Sequence, residues 1–232
     1  MKAYVITIEN HKGSNDCADR LIKSGNADRF GSGLWIHKFK ATTPTNIHQI
    51  FENEGLNPSA FQDKYSIQEN AMACFYSHYS LWKKTVEEDE PHMIFEHDAV
   101  IVSDIPNIFT LPDKGCISFG KPSYGKYNIP TQIGINPLQS KQYFPGAHAY
   151  LVRPHCAKQL IQKAKTHAAP TDLFLTNANF NFLEEYYPWP VEVKDTFTTI
   201  QQENGCIAKH NYNKNYRIDT NWDNPNAGQD FK

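Results

Sequence analysis

An apolar run that ends abruptly in charge constrains this chain more than any other feature. Met93-Ile94-Phe95 is followed at once by Glu96-His97-Asp98, and apolar residues resume at Ala99. So short a run, bounded on both sides by polar residues, reads as a buried strand. No apolar core accepts two unpaired carboxylates, so the strand must deliver them to an edge. In open α/β sheets, ligands bind at the carboxyl ends of the strands. Two carboxylates flanking a histidine there can hold a divalent cation and, through it, a diphosphate. The plainer reading of the same tripeptide is a strand followed by an acidic turn.

The flanking sequence supplies a sheet for that strand. Ala3 to Ile8 is rich in β-formers and opens the chain as a strand. Asn15 or Asp16 can cap a helix to about Lys23, with Cys17 and Leu21 inward. Trp35 to Phe39 is a second strand, which predicts a parallel pair joined by a crossover. A short helix from Thr45 or Asn46 stops at Gly55. The best helix runs from Glu69 to about Glu87, where Ala71, Phe75, His78, Trp82 and Thr85 recur at three- and four-residue steps. Beyond the acidic strand end, Cys116 to Phe119 and Ala147 to Val152 read as strands, Pro154 to Ala164 as a helix, Pro170 to Asp172 as a helical turn and Val191 to Val193 as a last strand. Residues 121–143 hold three prolines and no period, which predicts a long, functional loop.

Totals narrow the function classes. A chain of 232 residues fits one large α/β domain; the boundary is drawn at 2–203, with an Asn-rich tail over 204–232. A net charge of −2 argues against a broad nucleic-acid surface. No window is apolar enough for a membrane span and no leader precedes the first strand, so a cytoplasmic setting is expected. Five widely spaced cysteines without a C-x-x-C fit reduced thiols, Cys74 and Cys116 among the core residues.

Three blocks then fall into a family pattern. Ser77-His78 with Leu81-Trp82, the triplet Glu96-His97-Asp98, and Gly146-Ala147-His148-Ala149-Tyr150 followed by Pro170-Thr171-Asp172 resemble the core of glycosyltransferase family 25. The chain looks most like the short members carried by tailed phages. The resemblance implies a single-domain α/β fold of the GT-A type with a mainly parallel central sheet. It implies transfer of a sugar from a nucleoside diphosphate, usually UDP, to a hydroxyl, with inversion and with Mn²⁺ or Mg²⁺. The family's acidic triplet carries an acid where His97 stands, and its Asn-Leu-Asp-Arg after the first strand is here Thr7-Ile8-Glu9-Asn10.

On that basis Asp98 and Glu96 are the expected metal ligands, with His210 as a third. His97 is either a ligand or turned into the sheet by strand alternation. Asp172 is the expected general base by family position, its bland role being a helix cap. Thr7, Thr43, Asn70, Ser77, His148 and Lys209 are candidates for holding substrate, each with an ordinary capping or core role beside it. His78, on the apolar stripe, reads first as a hydrogen-bonded core residue and second as a support for the acidic strand end. Tyr124 and Tyr127, with Lys121, can close over the donor. Tyr186 to Pro190 is either an acceptor platform or a rigid edge. The acceptor is a glycan such as lipopolysaccharide or a hydroxymethylated base in phage DNA; Lys121, Lys126, Lys141 and Arg153 would form the basic rim the latter needs. A non-catalytic binding relative of the same fold is the competing class, and a nucleotidyltransferase a weaker one. Oligomeric state is not legible.

Overall fold

The computed structural model describes residues 1–26, 33–62, 66–107, 110–112, 115–194, 197–201, 217–220 and 222. Lys209, His210 and most of the expected tail lie outside the described residues.

Among the described residues, strands β1 (Lys2–Thr7), β2 (Trp35–Lys40), β3 (His92–Glu96), β4 (Ala99–Ile101), β5 (Cys116–Ser118), β6 (Gly134–Pro137), β7 (Ala149–Val152), β8 (Leu183–Tyr187), β9 (Val191–Val193), β10 (Phe197–Thr198) and β11 (Arg217–Ile218) alternate with five α-helices. These are α1 (Lys12–Asn26), α2 (Ile47–Glu54), α3 (Gln68–Glu88), α4 (Pro154–His167) and α5 (Thr171–Phe174). Seven strands form one sheet in the order β2-β1-β3-β7-β5-β8-β6. Its pairings make five strands run one way, with β7 and β6 reversed. The expected mainly parallel α/β sheet is present, and so is the parallel β1–β2 pair around α1. Small two-stranded ribbons, β4–β9 and β10–β11, sit beyond it.

The period-two alternation of strands decides which core each residue joins. Ala3, Val5, Met93 and Phe95 pack with Ala18 and Leu21 of α1 on one face. Tyr4, Ile6 and Ile94 face the other way, onto Phe75 and Trp82 of α3 and Leu160 of α4. The apolar stripe read along α3 is the buried one, down to His78 and Thr85. Both faces of β3 are therefore covered, and its charged end is where a cleft begins.

Local chemistry shifts several boundaries. Helix α1 begins at Lys12 rather than at Asn15 or Asp16, because the backbone N–H of Ser14 donates to His11 Nδ1 at 3.0 Å. The imidazole thus does the work of a capping oxygen. Helix α2 stops where Gly55 takes a left-handed φ of 65°. The long loop expected over 121–143 contains β6, an edge strand that tolerates Pro137 for that reason. Strand β8 has no counterpart in the sequence reading.

Candidate active site

Strand β3 ends between parallel β1 and antiparallel β7. The backbone N–H of Glu96 donates to the carbonyl of His148 at 3.0 Å, which fixes the acidic turn against the start of β7. From there a cleft of about 450 Å³ opens, within the range of small-molecule sites. Its walls include Ser77 and His78 of α3, Glu96, His97 and Asp98, His148, Tyr124, Asp172 and the segment Phe197–Gln201 with Trp222. The expected ligands Glu96 and Asp98, the expected base Asp172 and the candidates Ser77 and His148 thus share one cavity.

Glu96 is held from beneath by a buried relay. An indole N–H can only donate, so Tyr150 Oη accepts from Trp82 Nε1 at 2.9 Å. Burial pushes the Tyr150 phenol well above its ordinary pKa, so it keeps its proton. That proton is left for His78 Nδ1, 2.8 Å away. With Nδ1 accepting, the ring hydrogen lies on Nε2, which faces Glu96 Oε1 at 3.2 Å. His78 therefore fills both roles foreseen for it, core residue and support of the acidic end.

Cys74 completes the grip, its Sγ 3.9 Å from the same oxygen. Burial first, then the charges of Glu96, Asp172 and Asp98, raise its thiol pKa, so it stays a protonated donor. Cys74, His78 and Glu96 lie close enough together to suggest a soft-metal trio. A protonated thiol and an imidazole already committed on both nitrogens make it a positioning network instead. Cys74 is thus a cleft residue, whereas Cys116 is core as expected.

His97 takes the other side of the strand end. Its ring stacks on Phe197 at 5.4 Å with 5° between planes, and Phe197 stacks in turn on His11 at 5.0 Å. Burial, then His11 and Arg20, push its pKa down to about 3. His11 Nε2 lies 3.2 Å from Asp219 Oδ2, so the same rings clasp the C-terminal segment to the β1–α1 loop.

Asp172 enters on the first turn of α5. Its Oδ1 accepts from the backbone N–H of Leu173 at 2.9 Å and its Oδ2 from the Tyr124 hydroxyl at 2.8 Å. His148 is buried in a slot that only glycine permits: a Cβ on Gly120 would stand 2.4 Å from its Nε2. Gly146, at φ +84°, closes the same slot. Ser77 spends its proton on the carbonyl of Ala73 and accepts from the N–H of Thr42, bracing the end of β2.

Other candidates lie elsewhere. Thr7 is buried and donates to the carbonyl of Val5, and neither it nor Thr43 lines the cleft. Asn70 is also buried outside it, its amide donating to the carbonyl of Thr199 at 2.6 Å. The basic rim does not form. Arg153 is buried, bonded to the carbonyl of Gly115 and placed at the carboxyl end of β7, which by its antiparallel pairing is the opposite edge of the sheet. Lys121 pairs with Glu192 at 2.8 Å. The Tyr186–Pro190 cluster is a packed edge: Tyr186 stacks on Phe119, and Trp189 donates to Glu185 at 3.2 Å.

Sequence reading missed the C-terminal wall. The run Phe197-Thr198-Thr199-Ile200 is β-rich and was the available signal. It also missed the pairing of Tyr124 with Asp172, for which separation in the chain left no signal.

The cleft is acidic. Glu96, Asp98 and Asp172 line it, and among the described lining residues there is neither Lys nor Arg. Hard carboxylate oxygens suit Mn²⁺ or Mg²⁺. Glu96 and Asp98, which both line the cleft at the end of β3, are the residues that could hold such an ion.

Two solved structures of the glycosyltransferase GlyE from Streptococcus pneumoniae TIGR4 are similar, at 10% identity, 80% of this chain and a TM-score of 0.41, and, for the apo form, at 13%, 84% and 0.39. This chain spans 45% of the length of each. The CTP:phosphocholine cytidylyltransferase LicC of S. pneumoniae is similar at 10% identity over 82% of this chain and 91% of its own, with a TM-score of 0.34. No curated protein matches the chain. Among the described residues, no helix is long and apolar enough to cross a membrane. Residues 1–115, which carry β1 to β4 and the acidic turn, match the pattern of glycosyltransferase family 25, described as an LPS biosynthesis protein. By those 115 of its 232 residues, just under half, the chain resembles glycosyltransferase family 25.

Proposed function

We propose that the chain transfers a sugar from a nucleoside-diphosphate sugar, UDP-linked, to an acceptor hydroxyl with inversion. The observation that carries this reading is the acidic cleft at the end of β3. A diphosphate cannot approach three carboxylates unless a cation lies between them, and the described walls offer no cationic side chain. Asp98 and Glu96 would hold Mn²⁺ or Mg²⁺, which would offset the charge of the departing diphosphate. The His78–Tyr150–Trp82 relay keeps Glu96 oriented for that task.

Asp172 serves as general base. Its carboxylate takes the proton of the acceptor hydroxyl as that oxygen bonds to the anomeric carbon. The bond from that carbon to the diphosphate breaks, and its electron pair leaves with the nucleotide. Attack opposite the leaving group inverts the centre. The buried His148, held in its glycine slot, faces the same cavity and orients substrate. A glycan hydroxyl is the acceptor favoured here, because the basic surface a DNA strand requires is broken up by Glu192 and by the displacement of Arg153.

The test is turnover of UDP-glucose and UDP-galactose, with Mn²⁺ or with EDTA, by wild type, Asp98→Ala and Asp172→Asn. The proposal expects release of UDP that needs Mn²⁺ and falls in both variants. UDP that binds wild type without ever being turned over, against a panel of glycan acceptors, would leave a binding module in place of an enzyme.

A further inference from the structure

We infer that Tyr124 is the residue that keeps Asp172 away from water, and so sets how the donor divides between sugar transfer and hydrolysis. This rests on Asp172 being the base. A glycosyltransferase whose base is open to solvent activates water as readily as an acceptor. Here the Tyr124 hydroxyl lies 2.8 Å from Asp172 Oδ2, where an attacking hydroxyl or water would donate. Oδ1 is engaged by the N–H of Leu173.

The donor in that bond is Tyr124. Burial first, and then the charge of Asp172, raise its pKa well beyond the ordinary phenol value, so the proton stays on the ring oxygen. Tyr124 arrives from the loop between β5 and β6, and its pose is built. Lys141 Nζ donates to its backbone carbonyl at 2.6 Å and stands 4.6 Å above its ring. Tyr143 packs beside it at 6.3 Å between centroids. Among the described residues, the charged and titratable groups that share the cavity with Asp172 are Tyr124 and Tyr143 from the loops, Cys74 and His78 from α3, Glu96, His97 and Asp98 from the end of β3, and His148 at the start of β7, with Lys141 behind the Tyr124 ring. An acceptor sugar with a hydroxyl of matching reach displaces the phenol, and a lone water gains too little to do so.

The experiment measures hydrolysis of UDP-glucose and UDP-galactose with Mn²⁺ and no acceptor, across pH, for wild type, Tyr124→Phe, Asp172→Asn and the double variant. Phenylalanine keeps the ring between Lys141 and Tyr143. Hydrolysis by Tyr124→Phe is expected to rise at least about threefold. Its acidic limb should move up by about one pH unit, because the carboxylate loses a hydrogen-bond donor. The double variant should lose the gain. Hydrolysis in Tyr124→Phe at or below wild type, or an unmoved limb, overturns the inference even where Asp172→Asn is inactive. Asp172→Asn hydrolysing at the wild-type rate would instead remove the base itself, a separate result.

Discussion

Tyr150→Phe isolates the relay beneath the acidic strand end. The ring, fully buried, is kept and only the hydroxyl is lost. That oxygen is the partner of Trp82 Nε1 at 2.9 Å and of His78 Nδ1 at 2.8 Å. Trp82 and His78 are also fully buried, so water cannot take its place. Each stranded polar group costs about 1–3 kcal/mol, which sets the loss near 2–4 kcal/mol because His78 can regain part of its bonding through Glu96. For a domain of this size, 1 kcal/mol moves Tm by about 2–4 °C, so Tyr150→Phe should melt roughly 5–15 °C below wild type. A functional loss accompanies it: a His78 no longer steered by Tyr150 stops steering Glu96, and losses of outer-sphere support weaken metal sites about 10- to 100-fold. Thermal melts with EDTA and Mn²⁺ titration in the presence of UDP read the two effects separately. A variant melting within about 1 °C of wild type would show that the hydroxyl is not the hub. A variant that is destabilised yet binds Mn²⁺ unchanged would show that Glu96 is oriented by something else.

Two further outcomes follow from the cleft walls. His97 has its pKa pushed down to about 3 in the fold, against 6.5 ordinarily, by burial and by His11 and Arg20. Between those values the unfolded chain binds the proton and the folded chain does not, so stability is intact above pH 6.5 and drains as pH falls towards 3. Urea unfolding with EDTA should lose up to about 2 kcal/mol between pH 6.5 and 5, less for the part of the ring that solvent reaches, and His97→Gln should flatten that slope; a slope the variant leaves intact assigns it to other groups. Asn70→Ala removes the amide bonds to the carbonyls of Thr199 and Thr220 that tether the C-terminal segment. Limited proteolysis should then cut faster between residues 194 and 222, whereas an Asn70 that binds substrate would weaken UDP binding and leave the cutting rate alone.

What the sequence shows of this molecule divides along physical lines. Helix α3 is legible because its apolar stripe repeats at the helical period, and β3 because its run breaks at Glu96. His78 is legible in both roles because a histidine on a buried stripe needs partners. Strand β8 is hidden by Glu184 and Glu185, which read as surface; Glu185 is in fact buried, accepting from the N–H groups of Gln139 and Ser140 at 2.8 and 2.7 Å. The start of α1 is hidden because histidine is an uncommon cap. Arg153 lies at the edge opposite the cleft because β7 runs against β3, and a strand's residues do not reveal its direction. The clasp of His11 and Asp219, and the bond from Tyr124 to Asp172, join distant parts of the chain and leave no local pattern.

The account turns on charge at the end of β3, and calorimetric binding of UDP tests it most directly. With Mn²⁺ present, UDP should bind wild type; with EDTA, or with Asp98→Ala and Mn²⁺, binding should vanish, because nothing then separates the diphosphate from Glu96 and Asp172. UDP that binds wild type equally well with and without a divalent cation would contradict the claim that this acidic strand end holds the ion.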